Sequence, residues 1–93
     1  MREYRQLGLF LKEKRVQCGY TQVELAEKLG SIHSQFISNW ERGMCAPPSH
    51  IFSQLIVVLK LKHEKLIDVM LKDSRVAIES KVYKNARDKK KMA

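Results

Sequence analysis

Strand signals are nearly absent from this chain, and its apolar residues recur at helical rather than alternating spacing. A core built on a sheet is thereby excluded. Cysteine is scarce: Cys18 and Cys45 form no C-x-x-C pair. His33, His50 and His63 stand at no metal-ligand spacing. No zinc site is expected, and the histidines read as surface or cap residues. Reduced thiols in a cytoplasmic protein are the plain expectation. Long hydrophobic runs are also missing. The stretch Leu7 to Leu11, broken by Gly8, is too short for a signal peptide's apolar region or a membrane span. There is no nucleophile–base pair, no pair of carboxylates and no metal cluster, so the chain does not read as an enzyme and no cofactor is expected. It contains no internal repeat.

Positive charge is present in excess. The 93 residues carry 18 Lys and Arg against 10 Asp and Glu, a net charge of +8. Such a balance favours a polyanionic partner, either nucleic acid or an anionic membrane. Residues 63–93 hold nine of the basic groups, including the run Lys89, Lys90, Lys91. That run reads as a solvated tail or as an arm that touches phosphates.

The helical pattern divides into five segments. The first spans roughly residues 3–18, with Leu7, Leu11 and Lys14 or Arg15 on one stripe and Phe10 and Val16 beside it. Gly19 stops it. Thr21 and Glu24 form a capping box, in which the hydroxyl accepts from a backbone N–H three residues on and the carboxylate reaches back. The second helix covers 22–29, with Leu25, Ala26 and Leu29 inward, and Gly30 ends it where a left-handed residue costs least. The third is SQFISNWERG, Ser34 to Gly43, whose start is blurred by Ser31, His33 and Ser34. Pro47-Pro48 then forces an extended connection. Ser49 is the expected N-cap of a fourth helix over about 50–60, apolar almost all round and therefore central. The fifth begins near His63 and carries Leu66, Ile67, Met70 and Leu71, with Ile78, Val82 and Ala86 continuing a four-residue stripe.

Two short helices between Thr21 and Arg42, joined by a tight glycine-containing turn, make a helix-turn-helix outline. At about 100° per residue the third helix has two sides. Phe36, Ile37, Trp40 and Glu41 share one; Ser34, Gln35, Ser38, Asn39 and Arg42 share the other. Gln and Asn pair bidentately with adenine edges in a major groove, and Ser serves either base of a pair. Taken alone, the polar side weighs equally as groove-reading surface and as ordinary solvated surface. The helix-turn-helix outline and the basic balance favour double-stranded DNA.

TQVELAEKLG followed by FISNWERG resembles the phage-repressor-like, XRE-type helix-turn-helix DNA-binding family, over about residues 7–71. LKEKRVQCGYTQ is similar to that family's first helix, and PPSHIFSQLIVVLKLKHEKLI to its fourth and the start of its fifth. The resemblance implies that Ser34, Gln35 and Asn39 read bases. It implies that Thr21, Gln22, His33, Ser38 and Arg42 lie on the backbone or groove edge. Arg15 and Glu41 match a buried ion pair tying the first helix to the third, which accounts for a carboxylate on the apolar side. The turn after Gly30 is one residue longer than in the simplest members. Met44 and Cys45 stand where many members carry basic or polar residues, and residues 72–93 lie beyond the match.

The expectation is an all-α, five-helix, phage-repressor-like helix-turn-helix domain over residues 1–71. A basic, partly helical C-terminal extension follows over 72–93, either continuing the fifth helix or standing apart. The function expected is a sequence-specific transcriptional regulator, of repressor type, acting as a homodimer. Its dimer candidates are Ile67, Met70, Leu71, Ile78 and Val82, against the reading that the first three only complete the core. The alternative is an antitoxin or other interaction protein whose residues 72–93 bind a protein partner.

Overall fold

A computed structural model describes the backbone of residues 3–92 and the side chains of residues 3–84. The expected roles of Lys89 to Lys91, and of Ala86 in the stripe, fall outside the described side chains. Among the described residues there are five helices and no strand: α1 (Arg5–Gln17), α2 (Gln22–Lys28), α3 (Ser34–Glu41), α4 (Ser49–Val58) and α5 (His63–Met92). The all-α expectation holds. α3 packs on α1 and α2, and α5 packs on α1.

The first helix buries Leu7, Gly8, Leu11 and Arg15 on one stripe, while Val16 points into solvent. Gly8 is buried for a steric reason. A Cβ built there would lie 2.6 Å from both the Trp40 and the Glu41 carbonyl oxygens. Glycine therefore lets the end of α3 rest directly on the backbone of α1. The start of α1 is held from far along the chain. Asp73 of α5 accepts hydrogen bonds from Gln6 N–H and Leu7 N–H, each at 2.9 Å, and is itself buried. A carboxylate on the free N–H groups of a helix start satisfies donors that have no partner within the helix.

Thr21 opens α2 with both halves of the capping box. Thr21 Oγ1 accepts from Glu24 N–H and Glu24 Oε1 accepts from Thr21 N–H, each at 3.0 Å. Leu25, Ala26 and Leu29 are buried. The turn that follows takes two left-handed residues in succession, Gly30 at φ +91° and Ser31 at φ +60°. It places His33 as the N-cap of α3, extended and without a side-chain cap bond, so the helix starts at Ser34. Its last helical residue is Glu41, with Arg42 as C-cap.

The fourth helix differs from expectation twice. Its N-cap is Pro48, not Ser49. The proline ring sets φ at −60°, and its carbonyl accepts from Ile51 and Phe52, so Ser49 is already helical. Nor is α4 enclosed on all sides. Ile51 and Leu55 are buried, whereas Val57 is 76% exposed.

In α5, Leu66 and Asp73 face the body and Val69 packs partly against the core. The expected boundary between residues 71 and 72 falls inside this unbroken helix, and buried Asp73 lies beyond it. Ile67, Leu71, Ile78 and Val82 are all more than half exposed, so Ile67 and Leu71 do not complete the core. Met70 is less exposed and lines a crevice with Tyr4 and Ala77.

Candidate nucleic-acid interface

The helix α3 is anchored on its inner side by Ile37, Trp40 and Glu41. Phe36 is not among them. It is 52% exposed, and the placement expected from sequence is corrected. At about 100° per residue the three buried positions occupy an arc of roughly 100°. Phe36 lies some 40° outside that arc, on the flank next to Trp40.

Glu41 gathers three donors. Arg15 Nε stands 2.6 Å from Glu41 Oε2, and Arg15 Nη2 3.1 Å from Oε1. Gln22 Nε2 donates to Oε1 at 3.0 Å. Arg15 also donates through Nη1 to the Tyr20 carbonyl at 2.7 Å. Arg15 and Glu41 are nearly closed to solvent. This cluster ties α1, the start of α2 and the end of α3 to one carboxylate. Buried charges need such multiple satisfaction, because desolvation otherwise outweighs their attraction. Gln22 joins it with one amide hydrogen and keeps the second for another acceptor.

The outer side of α3 carries a second cluster. Gln35 Nε2 donates to Asn39 Oδ1 at 3.1 Å, and Arg42 Nη2 donates to the same oxygen at 2.8 Å. The spacings i, i+4 and i, i+3 place the three side chains in a row along one face. Gln35 and Arg42 are exposed; Ser34, Ser38 and Asn39 are partly so. Thr21 and His33 are exposed at the starts of α2 and α3, and Gln22 is half-buried. The hydroxyl of Thr21 accepts from Glu24 N–H and also interacts with the Glu24 carboxylate.

Glu24 also titrates abnormally. Its carboxyl is lowered from the ordinary value, first by the Thr21 backbone N–H it accepts, then by its side-chain interaction with Thr21, with Lys28 adding a smaller pull in the same direction. Cys18 and Cys45 are free thiols, and Cys18 Sγ lies 3.6 Å from the Leu59 carbonyl. Among the described residues no group of three acidic, His or Cys side chains is arranged to hold a metal. Nor is any helix there long and apolar enough to cross a membrane.

Gly8 and Asp73 have structural roles that the sequence does not assign, and Phe36 lies on a different side from the one expected. Gly8 carried a signal, a glycine inside a helical stripe, which marks close backbone approach. Asp73 carried none, since its partners lie 66 and 67 residues away. Exposed Phe36 was hidden by its neighbours Ile37 and Trp40.

Two short helices locked at a glycine turn, with a polar outer face on the second, define a helix-turn-helix protein. A family model described as helix-turn-helix matches residues 11–66, and the chain belongs to that XRE-type family. The family is one of DNA-binding transcription regulators and is non-enzymatic. No curated protein and no solved structure matches the chain.

Proposed function

We propose that the protein is a sequence-specific regulator, of repressor type, that binds double-stranded DNA as a homodimer and reads the major groove with α3. The observation that carries this reading is the row Gln35, Asn39, Arg42 on the open side of a helix whose other side is clamped by Ile37, Trp40 and Glu41. Ser34, Gln35 and Asn39 are the base readers. Ser38, Arg42, Thr21, Gln22 and His33 meet phosphates or the groove edge. Phosphate contacts set register and base-edge contacts set sequence, so the two groups answer to different assays. The test is selection of bound sequences from random duplexes, with affinity followed against salt. A defined consensus and a steep loss of affinity with salt are expected. Recovery of no consensus would remove base reading.

The homodimer is supported by α5. Ile67, Leu71, Ile78 and Val82 fall within about 60° of one another around the helix and stand open along it. A recognition helix reads few base pairs, and two-fold pairing places two of them on half-sites about one helical turn apart. Sedimentation at micromolar concentration is expected to show a dimer that Leu71→Glu dissociates. A wild-type monomer would return this face to the alternative, a protein partner bound through residues 72–93.

A further inference from the structure

The row on α3 has a chemical direction, and Arg42 sets it. A guanidinium has donors and no acceptor. The atom of Asn39 that faces Arg42 Nη2 at 2.8 Å must therefore be the carbonyl oxygen. With that oxygen fixed, Gln35 can approach it only with its amide nitrogen, which it does at 3.1 Å. Arg42 thus fixes the orientation of both amides at once. Asn39 Oδ1 has two lone pairs and receives two donors, so it is filled. What Asn39 has left is its Nδ2 group, two hydrogens and no acceptor. Gln35 keeps one hydrogen and a free Oε1.

The bases respond differently to these two amides. On the major-groove edge adenine offers an acceptor at N7 and a donor at N6, whereas guanine offers acceptors at both N7 and O6. Gln35, with one donor and one acceptor free, matches adenine. Asn39, with donors alone, does not: an amide pairs bidentately with adenine only when its oxygen is open to N6. Resting on the groove-reading role of α3 proposed above, we propose that Arg42 is a positioning residue that turns Asn39 from an adenine reader into a guanine reader, while Gln35 reads adenine nearby. Entry into a groove excludes water and strengthens hydrogen bonds within the row, so the direction set in the free protein persists in the complex.

The experiment compares selected consensus sequences of the full chain with those of Arg42→Ala, Arg42→Lys and Asn39→Ala. Asn39→Ala identifies the base pair that Asn39 reads, as the position whose preference disappears. Wild type is expected to prefer guanine there, by roughly five- to one-hundred-and-fifty-fold over adenine. Arg42→Ala opens Asn39 Oδ1 and is expected to move the preference at that one position to adenine. Arg42→Lys restores a donor and is expected to keep guanine. Arg42 is exposed, and thermal unfolding checks that each variant stays folded. Adenine at that position in wild type overturns the proposal. So does an Arg42→Ala variant that binds every sequence more weakly without changing preference, since that is the behaviour of a phosphate contact alone. A wild type that selects no consensus removes base reading itself, and this inference with it.

Discussion

The two sides of α3 carry the same pair of donors, an arginine and a glutamine converging on a side-chain oxygen of α3. On the inner side Arg15 Nη2 and Gln22 Nε2 both meet Glu41 Oε1. On the outer side Arg42 and Gln35 meet Asn39. The acceptor differs in charge and the setting differs in solvent. Inside, a full carboxylate is enclosed, and every donor around it is needed. Outside, a neutral amide faces water, which competes for each bond. One cluster holds the helix in place, and its twin stands on the open face of the helix. The comparison teaches that burial, more than residue type, decides whether a polar cluster is structural or available for recognition.

The largest expected effect lies on the inner side. Arg15→Ala leaves Glu41 enclosed without its cation and is expected to destabilise the fold by about 3–5 kcal/mol in urea denaturation. A loss below about 1 kcal/mol, the value of an exposed pair, would erase the distinction between the two sides. Gly8→Ala follows. Its Cβ would meet two backbone carbonyl oxygens, which cannot turn aside as a side chain can. Overpacking of this kind costs about 1–3 kcal/mol, and the same denaturation measures it.

The outer side should behave oppositely. Asn39→Ala is expected to change stability by no more than about 0.5 kcal/mol. On a cognate duplex it should weaken binding by about 1–3 kcal/mol, with little change on random DNA. Equal losses on both DNAs would sink its assignment as a base reader.

The smallest effect concerns Glu24, exposed at the start of α2. Because its carboxyl is lowered by the Thr21 N–H, its contribution is present above the ordinary carboxylate value of 4.5. It disappears as pH falls through the lowered value. The melting temperatures of wild type and Glu24→Gln are expected to differ at neutral pH and to converge in acid. A constant gap down to the lowest pH would refute the capping role.

How much of this was legible beforehand follows from how far each interaction reaches. The Thr21–Glu24 box, the stop at Gly30 and the inward set Leu25, Ala26, Leu29 depend on residues within one or two turns, and spacing alone shows them. Phe36 was misplaced because two buried neighbours suggested a half-circle of core, whereas a helix of eight residues held by two others buries a narrower arc. The N-cap of α4 was shifted by one residue because serine's usual preference yielded to the rigid φ of Pro48. Asp73 was out of reach, since no local pattern announces a carboxylate that caps a helix at the far end of the chain. The row on α3 was half visible. Its members were identified, but their hydrogen-bond direction needed the position of Arg42.

The grip of Asp73 on the start of α1 has a mechanical consequence. From that point α5 runs on for 19 residues, roughly 28 Å at about 1.5 Å per residue. Val76 and Ala77 still border the start of α1, and the helix beyond them extends past the body. A tilt of about 10° there would sweep the far end through roughly 5 Å, nearly half the width of a major groove. A partner that held the end of α5 would therefore act with leverage on the body that carries α3.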